Sequence, residues 1–480
     1  MMLNPLNEPT NAAIPDGAQL SQQDLSTHPS ALRLGLRENL GQFVLLASVT
    51  FGIGLVIGAE RVTLPLLAGH AFGVTSFLAT LSFIVSFGAV KAALNLVAGG
   101  LNDRWGRKPV LILGWLAALP APFLIIFAPN WAWVVAANVL LGFNQGFAWT
   151  TTVTSKVDLV GPRNRGFALG INEFSGYAGV TIGGLVGGAL AGAYGLRVAP
   201  FIFILLVVAA ATLTSALLVR ETRPYAHLES RRDQQRRAQA AGVASAADTA
   251  FRTTPFMPAT IQATSSSVPP RMTTIFALTS WGDRTLATAS LAGLIEKFAD
   301  TLVWGLFPLY FARAGLGAPA IGALVGVYTG SWAILQLYTG HLSDRLGRKW
   351  LIAVGFELVA VGVSLTLLGG SLAWWISGAL LMGVGMALLY PTLLATVSDV
   401  ARPHWRGTAL GVYRLWRDSG YAFGALAIGL VADRFGLQIG FWLVIALMAG
   451  CGLVIPLVMY ETQPQRRSVF LAWERDPRLE

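Results

Sequence analysis

Gly99-Gly-Leu-Asn-Asp-Arg-Trp-Gly-Arg-Lys-Pro109 recurs as Gly340-His-Leu-Ser-Asp-Arg-Leu-Gly-Arg-Lys-Trp350, 241 residues later in a chain of 480. Apolar stretches long enough to cross a bilayer flank both copies. A charged segment repeated at half the chain length between such stretches reads as two related membrane bundles. The repeat extends further. Gly142, Asp158, Pro162, Arg165, Gly166, Ala168, Leu169 and Gly170 return as Gly383, Asp399, Pro403, Arg406, Gly407, Ala409, Leu410 and Gly411, and each half closes on Glu-Thr, at Glu221-Thr222 and Glu461-Thr462.

Composition agrees. The chain is 54% hydrophobic and 12% charged, with 53 glycines and a pI near 10. A soluble protein of this size needs more surface charge, so lipid is the expected surroundings. Nucleic acid is not an expected partner, because the positive charges sit in short segments between spans. The single cysteine, Cys451, allows no internal disulfide and no cysteine-based metal site. The first forty residues lack an apolar core behind basic residues, so the first span is expected to direct insertion itself.

Twelve spans are expected, at 42–68, 74–98, 109–128, 131–157, 166–192, 199–219, 286–312, 319–340, 350–369, 372–398, 407–432 and 437–460. This gives an all-α polytopic membrane protein of two six-helix bundles in parallel repeat, since six spans return each half to its starting side. The expected organisation is a tail over 1–41, a bundle over 42–220, a linker over 221–285, a bundle over 286–460 and a tail over 461–480. Within the linker, Thr273–Trp281 is expected to form a short helix on the membrane surface. With the N-terminus in the cytoplasm, cytoplasmic segments hold 26 of the 34 Lys and Arg, Lys156 counted among them, and outer loops hold three. That bias places both termini inside, in a bacterial inner membrane.

The paired segments resemble the signature between spans 2 and 3 of the major facilitator superfamily, Gly-x-x-x-Asp-Arg-x-Gly-Arg-Lys, complete in both halves. Gly170, Gly179, Gly183, Gly187 and Gly188 are similar to the span 5 motif of its drug–proton antiporter branch, with Gly184 in place of proline. Span 4 keeps Gln145-Gly146, but Gly142 stands where that branch has arginine. The resemblance implies twelve helices, alternating access by a monomer, spans 1, 2, 4, 5, 7, 8, 10 and 11 around a central cavity, and spans 3, 6, 9 and 12 toward lipid. It also implies a cytoplasmic latch of Asp103, Arg107, Asp158, Asp344, Arg348 and Asp399. In it Asp103 meets the start of span 11 near Gly407, Asp344 meets span 5 near Gly166, and Arg107–Asp158 and Arg348–Asp399 pair, all across the two halves.

Ten ionisable residues stand inside spans: Glu60, Arg61, Lys91, Glu173, Glu296, Lys297, Asp300, Arg414, Arg417 and Asp418. Each is costly in lipid unless paired or hydrated, and so is a functional candidate. Glu296 and Asp300 share a helix face and repel, which favours one of them holding a proton. Asp300 is the first candidate for proton coupling, with Glu296, Glu60 and Glu173 beside it; ion pairing to Lys297 or to Arg414 and Arg417 is the structural alternative. Arg61, Lys91, Asn95, Asn172, Tyr177, Arg414, Arg417 and Asp418 are candidates for the substrate cavity, where paired guanidinium groups suit a carboxylate or phosphate. Thr150–Thr154 and Tyr390-Pro391 are expected to bend spans 4 and 10. Trp131, Trp133, Trp374 and Trp375 are expected as interfacial anchors.

No nucleotide-binding loop, nucleophile constellation or metal cluster is present, so neither an enzyme nor a cofactor is expected. The expected function is secondary active transport of a small solute, coupled to protons, with the span 5 motif leaning toward export. Uptake of an organic anion or other nutrient, or a receptor that keeps the fold without transport, are the alternatives.

Overall fold

The structure, a computed structural model, describes residues 32–161, 165–232, 234–235, 238–239, 271–402 and 405–463. Residues 1–31 and 464–480 of the expected tails and about half of the linker, with Pro162 and Pro403 of the repeat, lie outside these. Twelve helical elements follow in order: α1 Leu40–Phe72, α2 Phe77–Trp105, α3 Arg107–Ala118 continued by Ala121–Ile126, α4 Trp131–Asn144 continued through Gln145–Trp149 to Thr150–Val160, α5 Arg165–Tyr194, and α6 Ala199–Leu217. The second half holds α7 Arg284–Gly305 continued by Phe307–Arg313, α8 Ala318–Leu346, α9 Lys349–Leu368, α10 Leu372–Val400, α11 Arg406–Phe435 and α12 Leu437–Val458.

Nine of these are long and apolar enough by themselves to cross a membrane. The other three are α4, α7 and α11. A π-turn over Gln145–Trp149 divides α4 into shorter pieces, and α7 and α11 carry the buried charges. The irregularity in α4 therefore lies one turn before the threonine run expected to cause it; a π-turn widens a helix locally and re-aims its side chains. Trp131 and Trp375 also differ from the expected anchors. Both turn inward, and their indole N–H groups donate to Ala79 O (2.8 Å) and Gly369 O (2.9 Å). The short helix expected before α7 forms over Met272–Ala277 with a π-turn to Gly282. It packs on the protein, where Trp416 Nε1 donates to Ser280 Oγ at 2.9 Å.

The repeated signature is a helical corner and not a loop. α2 runs to Trp105, α3 starts at Arg107, and the chain turns at Gly106 with φ 97°. The second copy turns at Gly347 with φ 95°. The Glu-Thr pairs explain the corner. Glu221 accepts from the backbone N–H of Arg107 (2.9 Å) and Lys108 (3.0 Å), and Glu461 accepts from Arg348 (2.8 Å) and Lys349 (3.2 Å). A carboxylate thus satisfies the free donors and the positive end of each new helix. A Cβ at Gly106 or Gly347 would lie 2.5 Å from that carboxylate, so glycine is required by space as well as by φ. The threonines complete the corner: Thr222 and Thr462 donate to Asp158 (3.1 Å) and Asp399 (3.3 Å).

The halves meet where α2 packs on α11 and α5 on α8. On the face opposite the signature corners the fit is tight. A Cβ added to Gly188 would lie 2.6 Å from Ala318 O, and one added to Gly429 would lie 2.7 Å from Leu78 Cα. Asp433 of α11 crosses the boundary to accept from Ser76 Oγ (2.6 Å), Phe77 N (2.6 Å) and Leu78 N (3.1 Å) at the start of α2. On the corner face, Gly99, Gly100, Gly166, Gly340 and Gly407 have open space around them. The structure is therefore closed on one face and parted on the face of the basic corners. Replacing Glu221 by Ala removes two charge-assisted hydrogen bonds to one helix start, a loss of about 1–3 kcal/mol; thermal unfolding in detergent should show a lower midpoint than wild type, with a similar loss for Glu461→Ala.

Candidate functional site

Charged side chains from α1, α2, α7 and α11 converge midway between the halves. Arg61 of α1 crosses to α7, where its Nη1 and Nη2 donate to Asp300 Oδ1 (2.5 Å) and Oδ2 (2.9 Å). Asp300 is fully buried and also accepts from Lys297 Nζ (3.3 Å), Tyr421 OH (2.5 Å) and Tyr328 OH (3.3 Å). Glu296 accepts from Arg417 Nε (3.1 Å) and Nη2 (3.2 Å), and lies 3.3 Å from Lys297 Nζ. Arg417 reaches Asp418 Oδ1 (3.2 Å), whose other oxygen accepts from Asn95 Nδ2 (2.6 Å) and lies 3.7 Å from Lys91 Nζ. Aromatic faces complete the cations' surroundings, with the Arg417 guanidinium 4.0 Å over Tyr390 and Lys297 Nζ 5.0 Å from Trp332.

This arrangement follows from burial. An ion removed from water pays several kcal/mol, recovered only with a close partner and filled hydrogen bonds. Glu296 and Asp300 do not share a proton here: Lys297 stands between them, and each has its own arginine. Asp300, the first candidate for proton coupling, is thus held by every group it can reach. Glu60 is the reverse case. It is buried, and neither oxygen has a hydrogen-bond partner among the described residues.

A cavity adjoins the cluster, lined by Arg61, Lys91, Asn95, Gln145, Trp149, Glu173, Tyr177, Tyr390, Arg414, Arg417, Asp418 and Tyr421, among others. Its free room is about 40 Å³, enough for about three waters, so a solute must displace water and part the aromatic rings. Arg414 has no ion pair among the described residues and is only partly buried. Glu173 accepts from Trp149 Nε1 and Asn172 Nδ2, both at 3.2 Å. Asn172 faces the interior of the first bundle and not the cavity.

The six corner residues pair within halves. Arg107 Nε donates to Asp158 (2.9 Å), and its Nη1 to Asp103 (3.0 Å); Arg348 Nε donates to Asp399 (3.1 Å), and its Nη2 lies 2.7 Å from Asp344. The expected contacts across the halves are absent among the described residues. Asp103 and Asp344 are 77% and 62% exposed, because the corner faces stand apart in this conformation.

Lys156 is a member of the interior that was not among the expected site residues. Counted as a topology charge, it is fully buried on α4, and its Nζ donates to Thr50 Oγ1 and Asn172 Oδ1, both at 2.7 Å. Its position inside the expected fourth span was the available signal. Tyr328, Trp332 and Trp149 were missed because single aromatics in apolar helices carry no pattern. Removing one partner of a buried pair leaves the other ion unmet, at a cost of about 3–5 kcal/mol. Asp300→Ala should therefore lower the detergent unfolding temperature sharply, while the double change Arg61→Met with Asp300→Leu should recover most of the loss.

The family model described as Major Facilitator Superfamily matches residues 46–288 and 289–477. The inner membrane transport protein YajR of Escherichia coli is 27% identical over 178 residues, which is 37% of this chain and 37% of that protein. The proton-coupled antiporter flippase LtaA of Staphylococcus saprophyticus is 33% identical over 141 residues, 29% of this chain and 33% of LtaA. The quinolone resistance protein NorA of Staphylococcus aureus is 25% identical over 132 residues, 28% of this chain and 34% of NorA. The matched segment thus spans about a third of the length of these relatives. Among solved structures, the nucleoside transporter NupG superposes with a TM-score of 0.67 at 13% identity, covering 87% of this chain and all of NupG. A POT family transporter bound to a thioalcohol-conjugated peptide superposes with a TM-score of 0.63 at 12% identity over 86% and 95% of the two chains. With both halves matched by the family model and the fold shared, the chain belongs to the Major Facilitator Superfamily.

Proposed function

We propose that this chain is a secondary transporter that moves a small anionic or zwitterionic solute across a bacterial inner membrane by alternating access, coupled to protons. The observation that carries this reading is the cavity between the halves, where Arg414 is uncommitted, Lys91 is held only at 3.7 Å, and Glu173 stands among aromatic side chains. Five cations border or build the site (Arg61, Lys91, Lys297, Arg414 and Arg417) against four carboxylates (Glu173, Glu296, Asp300 and Asp418), an excess that suits an anion. The positive-inside bias puts the parted face in the cytoplasm, so the cavity faces inward as it stands. Transport then requires the α2–α11 and α5–α8 contacts to open on the outer face while the corner faces close. In that second state Asp103 and Asp344 are expected to reach the helix starts of the opposite half. One protomer contains the whole cavity, which supports a functional monomer.

Export is favoured over uptake by the glycine pattern of α5 and by LtaA and NorA, named for antiport and for drug resistance. Purified protein in liposomes with a trapped pH-sensitive dye tests the proposal. A panel of organic anions, zwitterions and cationic drugs is added with and without a proton gradient. An anion- or zwitterion-dependent pH change, reduced about tenfold or more by Arg414→Gln, is the expected result; a tenfold effect corresponds to about 1.4 kcal/mol of lost interaction. Anion movement without a pH change would remove the coupling, and transport confined to cationic drugs would overturn the substrate class.

A further inference from the structure

Among the described residues, Lys156 is the buried cation with no carboxylate at ion-pair distance. Arg61, Lys91, Arg107, Lys297, Arg348 and Arg417 each have one. Lys156 is instead held by neutral oxygens: Thr50 Oγ1 on α1 and Asn172 Oδ1 on α5. The Thr50 hydroxyl donates to Leu46 O (2.9 Å), leaving its lone pairs toward the lysine. Asn172 then relays the contact, since its Nδ2 donates to Glu173 Oε1, and Glu173 lines the cavity. A chain of side chains therefore runs from the cavity wall into the first bundle and ends on an amine.

We propose that Lys156 is a proton-binding site of this transporter, joined to the cavity carboxylate Glu173 through Asn172, and that its charge sets which face is open. The inference rests on the transport reading above for its role, but not for its test. Both protonation states fit the site without rearrangement, because a hydroxyl and an amide oxygen accept from an ammonium and from a neutral amine alike. Asp300 lacks that freedom, since protonating it breaks the Arg61 pair that joins the halves. Glu173 is the charged group facing Lys156 from α5. α1 presents Thr50, α2 presents Asn102, bonded to Thr151, and the Arg107–Asp158 pair of α3 and α4 stands two residues further along the same helix.

The consequence has a sign. With Lys156 charged, Glu173 is balanced within its own half, and the corner faces stay apart, as seen. When Lys156 loses its proton, Glu173 becomes an uncompensated anion in the cavity wall. Its available partner is Arg414 of the other half, and that attraction draws the inner ends together. Raising the pH should therefore close the corner face.

Pulsed electron-spin distance measurements test this without a substrate. Spin labels are placed at Leu169 and Leu342, exposed near the corner-face ends of α5 and α8, in a Cys451→Ser background. Between about pH 5 and pH 9 the wild-type chain should shift from a long to a short distance population. Lys156→Arg, whose guanidinium keeps its charge across this range, should hold the long distance throughout. Lys156→Met should hold the short one; if either variant fails to fold, the other still decides. An unchanged pH response in either variant, or none in the wild type, would overturn the proposal. A response that depends on Lys156 in a chain that moves no solute would leave this inference standing and remove the transport reading.

Discussion

The Arg61–Asp300 pair is the contact on which the arrangement of the two halves turns. It joins α1 of one bundle to α7 of the other with both side chains almost fully buried, so that the pair itself must offset the lost hydration. Once Asp300 is committed to Arg61, Lys297 is shared with Glu296, Glu296 with Arg417, and Arg417 with Asp418. Each link leaves part of its charge for the next, so the network crosses the membrane middle as one system. Such a system is stable only with its members in register. This is why the halves pack closely at this level and on the closed face, and part beyond it.

The signature corners do a different job from the central charges. Each joins the second, third, fourth and sixth spans of its own half through one arginine, one aspartate and the Glu-Thr pair. A bundle tied in this way moves as a body, and motion concentrates at the α2–α11 and α5–α8 seams. Asp433 fastens one seam on the closed face by capping α2. Its repeat counterpart, Gly192, packs instead against Pro319 at the start of α8. The two seams are thus alike in backbone and unlike in charge, which makes the α2–α11 seam the one that electrostatics can release.

Much of this was legible in the sequence. The repeat, the apolar spans and the ten ionisable residues inside spans follow from spacing and composition, because bilayer thickness and the cost of burying ions act on any chain. The Arg107–Asp158 and Arg348–Asp399 pairings were also readable, and so was their confinement within halves, since both members of each pair lie on the same side of the linker in the sequence. The Glu-Thr pairs were visible as repeats without a role, because a carboxylate that caps a helix more than a hundred residues away leaves no local pattern. Lys156 was lost for a plainer reason: near a span end, a lysine in the core and a lysine in water look alike.

Alternating access through this cavity requires the closed face to release. Cysteines at Ser76 and Asp433, whose side chains meet across this seam at 2.6 Å, stand near the separation a disulfide spans. Transport should be measured in liposomes with this pair oxidised and again after reduction, in a Cys451→Ser background. Oxidation is expected to stop turnover and reduction to restore it. Full turnover with the seam locked would show that the α2–α11 contact does not open during transport, and would contradict alternating access through this cavity.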